Sequence, residues 1–189
     1  MKRVLLSITI ILFSLNGFAQ KQYVTITYDN DHAKEVYVDV QFAGRQPMKK
    51  DEASGRWTAT LGPADPDLYP YHFIVDGVDV MDPACKEYFP NEGFKNSLLE
   101  IKSKEKSLPH DIKNVPHGSI SYIHYYSKSL GATNQAVVYL PPRYQKDTTK
   151  RYPVFYLISG TTDTEEVYYK VGRANYILDN LSAGGAAEE

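Results

Sequence analysis

The chain has 189 residues, 21 basic against 23 acidic side chains and one cysteine. A near-neutral balance with no basic block removes the electrostatic ground for nucleic-acid binding, and a lone cysteine excludes an internal disulfide framework. A 42% hydrophobic content suits one or two packed domains rather than a disordered tail.

Residues 1–20 open with Lys2 and Arg3, continue through an apolar run from Val4 to Leu15, and place the small residues Gly17 and Ala19 at the −3 and −1 positions of a cut before Gln20. That order of charge, apolar stretch and small residues is a secretory signal peptide. The run is shorter than the ~20 residues that span a bilayer, so cleavage between Ala19 and Gln20 is expected, with a secreted or periplasmic product and no stable membrane insertion. Losing Lys2 and Arg3 takes the formal charge from −2 to −4. Cys85 then meets an oxidising compartment without a partner and is read as a small packing residue.

Residues 20–102 read as short strands. Alternation of β-branched and aromatic residues over 23–28, 36–42, 56–61 and 69–75 is separated by the turn-forming segments Asp29-Asn30-Asp31 and Ala53-Ser54-Gly55. Asp76-Gly77 is a hairpin signal before Val78 to Val80, and residues 97–101 close the set. Strands of this length and spacing, without helical periodicity, predict an immunoglobulin-like β-sandwich. Sixteen tyrosines against seven phenylalanines suit such half-wet strands, and Trp57 falls at a core position.

Residues 103–116 are charged, aperiodic and carry Pro109 and Pro116, a linker composition. Strands are expected at 119–126 and 135–140. The apolar run at 152–158 suits a strand buried on both faces. A helix over 173–182 places Ala174, Ile177, Leu178 and Leu181 on one face, with Gly184 or Gly185 as its C-terminal cap. Strand, polar loop and helix in that order predict the start of an α/β domain at 117–189.

The chain carries no G-x-S-x-G, HExxH, paired CxxC, Walker A or GxGxxG pattern. The five histidines (His32, His72, His110, His117 and His124) lack zinc-ligand spacing, so no metal or cofactor is expected. Asn180-Leu181-Ser182 matches a glycosylation sequon but falls on the predicted helix. The polar loop Ser159, Gly160, Thr161 ends the apolar run, where backbone amides at a strand's end can stabilise an oxyanion; the plainer alternative is a strand-to-loop turn.

Val115-Pro116-His117-Gly118, Tyr125 to Gly131, Val138 to Tyr144 and Arg151 to Leu157, followed by Val171-Gly172-Arg173-Ala174-Asn175 and Ile177 to Leu181, resemble the entry to the esterase D-like α/β-hydrolases. That family includes the feruloyl and acetylxylan esterases of carbohydrate esterase family 1 and the enterochelin esterases. Upstream, Gly62-Pro63, Asp67-Leu68-Tyr69, Val75 to Val78 and Asp82-Pro83-Ala84 resemble the early-set sandwich often fused in front of them. The resemblance implies serine acyl hydrolysis of acylated plant polysaccharide, xylan above all, without a metal or cofactor. It places Ser159, Gly160 and Thr161 where the family has His-Gly-Gly-type residues, as a remnant of its oxyanion loop. The family's serine, acid and histidine lie downstream of the first helix, so the catalytic triad is expected to be missing and the chain to be the N-terminal portion of such an enzyme. A non-catalytic alternative is a glycan-binding or spacer module, with Tyr69, Tyr71 and Tyr88 as candidate sugar contacts. Against it, Phe42-Ala43-Gly44 is followed by Arg45, where related binding modules carry a tryptophan.

Overall fold

The computed structural model describes residues 22–91, 93–146 and 149–188; the expected signal peptide lies outside them. The first part is a pair of antiparallel sheets. One holds β1 (Gln22–Asp29), β5 (Arg56–Ala64) and β4 (Lys49–Asp51), in the order β1-β5-β4. The other holds β3 (Gly44–Pro47), β2 (Val36–Val40), β6 (Leu68–Val75) and β7 (Val78–Val80), with β8 (Ser97–Glu100) paired to β6 beside β7.

Alternation decides which faces meet. Val36, Val38 and Val40 of β2, Tyr71 and Phe73 of β6, Ile26 of β1, and Trp57, Ala59 and Leu61 of β5 form one buried cluster. The residues between them on β1 and β5 (Thr25, Thr27, Thr58 and Thr60) line the opposite, wetter face. Trp57 lies in the core and donates its indole N–H to the Asn30 carbonyl at 2.8 Å, the partner a buried indole requires. The β6–β7 hairpin turns on Asp76 (φ 49°) and Gly77 (φ 85°), the two left-handed positions such a turn needs. Asp76 Oδ1 also accepts the amides of Lys34 and Glu35, each at 2.9 Å.

β3 and β4 were not expected. Their sequences, Gly-Arg-Gln-Pro and Lys-Lys-Asp, carry no apolar alternation because they sit at the outer ends of the two sheets, where charge and proline are tolerated.

The second part contains the hairpin β9 (Ser119–Ser127) and β10 (Ala132–Leu140), the one-turn helix α1 (Val167–Lys170) and α2 (Ala174–Ala183). Two expectations need correction. Residues 152–158 form no strand. Phe155, Tyr156 and Ile158 are 80%, 81% and 85% exposed, because a central strand needs ladders on its flanks and none among the described residues pairs with this one. The strand-loop-helix unit expected to open an α/β domain is therefore absent from the described residues. The buried side of α2 is also not its apolar face: Leu178 and Leu181 are each 37% exposed, whereas Asp179 is 2% exposed. The C-terminal cap falls where expected, with Gly185 at φ 69° and its amide donated to the Ser182 carbonyl at 3.1 Å.

Candidate functional site

The loop after residue 158 is held from several sides. Tyr168 donates its hydroxyl to the Ile158 carbonyl at 2.8 Å. Ser159 Oγ donates to the Asp163 carbonyl at 3.2 Å, and the Asp163 amide donates to the Gly160 carbonyl at 3.2 Å. A tight turn results, with Gly160, Thr161 and Thr162 facing solvent. A side chain at Gly160 would press on Asp163 Oδ2 at 3.2 Å. Beyond the turn, the Thr164 amide donates to the Pro90 carbonyl at 3.1 Å.

Next to it lies a carboxylate ringed by phenols. Glu166 Oε1 accepts from Tyr169 at 2.9 Å and from Tyr122, and Oε2 accepts from Tyr88 at 3.2 Å. Lys170 Nζ sits 4.2 Å from the Tyr88 ring centroid and 4.0 Å from Glu166. Burial works against the Glu166 charge, but the Tyr122 and Tyr169 hydrogen bonds and Lys170 together hold its carboxyl below the ordinary range. Burial, then the bonds to its neighbours, pushes the Tyr169 hydroxyl far up, so it stays a donor.

A third cluster centres on Asp179. Its Oδ1 accepts the Gly118 amide at 2.9 Å and the Tyr139 hydroxyl at 2.6 Å, while Oδ2 lies 2.8 Å from His117 Nδ1. His117 Nε2 faces the Lys113 carbonyl at 3.0 Å. Gly118 is glycine for contact reasons: a Cβ there would lie 2.4 Å from the Leu140 carbonyl oxygen and from the Tyr139 ring. Nothing in the sequence distinguished Asp179 from a solvent-facing helix position. Asn180 Nδ2 donates to the Pro109 and Asp111 carbonyls at 2.8 and 2.9 Å, which ties the sequon's amide to the 103–116 segment.

The tyrosines considered for sugar contact do not share a surface. Tyr71 is in the core with its hydroxyl donated to Asp82 at 2.6 Å. Tyr69 packs edge-on against Phe42 and bonds the Asp65 carbonyl. Tyr88 is half-buried, with Lys95 and Lys170 over its ring. Cys85 is half-buried with Sγ 3.2 Å from the Glu87 carbonyl. Among the described residues no three His, Cys, Asp or Glu side chains are grouped to hold a metal, and no helix is long and apolar enough to cross a membrane.

No family model matches the chain. An endo-1,4-beta-xylanase/feruloyl esterase of Xylanibacter ruminicola is 34% identical over 169 residues, which cover 86% of this chain and 23% of that protein. The chain thus spans under a quarter of the length of this relative. Among solved structures, the enterobactin esterase of Shigella flexneri superposes with a TM-score of 0.46 at 16% identity, over 61% of this chain and 39% of that one. Ferric enterobactin esterase of Salmonella typhimurium gives 0.42 at 14% identity, over 61% and 40%.

Proposed function

We propose that this chain is the N-terminal portion of a secreted carbohydrate esterase that hydrolyses acyl groups on xylan by serine acyl transfer. The observation that carries the proposal is the 34% identity to a xylanase/feruloyl esterase along 86% of the chain. The ordered motifs from Val115 to Leu181 point the same way. In this reading the loop amides at Gly160 and Thr161 are donors for the oxyanion of the tetrahedral intermediate. Both residues face solvent, so a substrate carbonyl can reach them. The nucleophile is not among these 189 residues, which contain no G-x-S-x-G, so the chain alone is expected to be inactive.

The test has two arms. The purified chain is assayed on p-nitrophenyl acetate and methyl ferulate, with no hydrolysis above background expected. A longer polypeptide, read from the DNA beyond codon 189, is assayed on the same esters, with hydrolysis expected. Activity of the chain alone, or inactivity of a longer form carrying a serine elbow and a later histidine, refutes the proposal. Export is checked separately: N-terminal sequencing of the secreted product should begin at Gln20, and a product beginning at Met1 removes the cleavage site.

A further inference from the structure

The 159–163 loop is hydrogen-bonded to the edge of the sandwich through a continuous relay. Core strand β6 pairs with β8 through Tyr71 and Ser97. Ser97, fully buried, pairs in turn with Tyr88. The Phe89 amide donates to the Asn96 carbonyl at 2.8 Å and the Leu98 amide to the Glu87 carbonyl at 3.1 Å, so residues 87–89 run as an extra rung along β8. Two residues on, Asn91 pairs with Asp163, and the Thr164 amide reaches the Pro90 carbonyl at 3.1 Å. Pro90 is itself fully buried. Tyr88 adds the bond to Glu166 at 3.2 Å, at the start of α1.

Within the loop, Asp163 is the residue through which both ends close, since its amide and its carbonyl take the Gly160 and Ser159 bonds. The preceding residues, 153–158, belong to no strand and are exposed. The loop is therefore held at its near end by Tyr168, through the Ile158 carbonyl, and at its far end by the sandwich. An oxyanion donor lowers a barrier only when it is already in place as charge develops, and a displacement of about 1 Å can cost ~100-fold in rate.

We propose that residues 88–91 of the sandwich are a positioning element for the 159–163 loop, acting through Asp163 and Thr164 to hold the Gly160 and Thr161 amides for acyl transfer. The sandwich then has a task in the reaction that needs no sugar bound to it. The proposal rests on the esterase reading above, and its test separates the two.

The variants are Thr164→Pro, which deletes the amide donated to Pro90, and Tyr88→Ala, which leaves that amide and removes the contacts to Glu166 and Lys170. Amide hydrogen exchange is measured by NMR on the 189-residue chain. The expected result is exchange at Asp163 at least about tenfold faster in each variant, with the β2 and β6 amides unchanged. The same variants in the longer esterase are expected to lower kcat on methyl ferulate by about 10- to 100-fold with KM nearly constant, the mark of an interaction made in the transition state. Unchanged exchange at Asp163 in both variants overturns the brace. Faster exchange with unchanged kcat overturns its role in catalysis. If the unsubstituted longer polypeptide hydrolyses no ester, the esterase reading falls, and the catalytic role with it, whatever the exchange shows.

Discussion

Asp179 joins α2 to two segments distant in sequence: the His117-Gly118 stretch that leads into β9, and β10 through Tyr139. A carboxylate buried this far is tolerated only when its lone pairs are satisfied, and here three donors satisfy them. Removing the acceptor takes away the partner that the Gly118 amide, the Tyr139 hydroxyl and His117 share, so Asp179→Ala is expected to cost about 3–5 kcal/mol, whereas Tyr139→Phe, which removes one neutral donor, costs about 1 kcal/mol. Trp57, the single tryptophan, lies in the sandwich core, which allows the effect to be localised. In urea, the tyrosine near-ultraviolet circular dichroism of Asp179→Ala should lose its C-terminal component early, while Trp57 fluorescence keeps its transition. A variant whose two signals both match the parent chain shows that the cluster contributes nothing.

At the level of elements, the sandwich strands were legible because each half-buried strand alternates. β1, β2, β5, β6, β7 and β8 all fall on the runs the sequence marks, to within a few residues. The edge strands β3 and β4 were not legible, since a strand paired on one side and wet on its outer face needs no apolar pattern. α2 was legible as a helix but not in its orientation, because the 3.6-residue period reports which face is apolar and not whether anything covers it. The run at 152–158 shows the same limit. Its composition is that of a buried strand, but burial is supplied by neighbours. An unpaired, uncharged aromatic segment is a site of proteolysis and self-association. Limited chymotrypsin digestion is therefore expected to nick the chain first at Phe155 or Tyr156, leaving the sandwich intact. A full-length product that resists digestion would show the segment to be covered. Of the candidate site, the loop itself could be read from the sequence, but its anchorage on Asn91 and Pro90 could not. Those bonds use backbone groups some 70 residues away, and no side-chain type records them.

For the whole molecule, the two parts meet across a small set of polar contacts rather than a shared apolar core. Arg173 donates to Glu100 at 2.8 Å, Tyr88 to Glu166, and the Thr164 amide to Pro90. Arg173 sits in the left-handed region (φ 48°) at the start of α2, a strained backbone that its half-buried ion pair with β8 helps to hold. The pH response of such a junction follows from its two carboxylates. The Arg173 hydrogen bond, and then its charge, hold Glu100 below its ordinary value of 4.5. Glu166 is also held below 4.5, despite its burial, by Tyr122, Tyr169 and Lys170. A carboxyl whose folded pKa is depressed stabilises the folded state fully above its unfolded value and loses that contribution as pH falls through the folded one. The contacts between the parts should therefore be constant from neutral pH down to about 4.5 and weaken below it, in the window set by Glu100 and Glu166. Exchange at the Asp163 and Thr164 amides, followed from pH 7 to pH 3 and corrected for intrinsic rates, should show protection lost below pH 4.5 while the β2 and β6 amides keep theirs. Glu100→Gln should lower protection at neutral pH and flatten the acid step. A profile in Glu100→Gln that matches the parent chain would mean that the Arg173 pair does not couple the two parts.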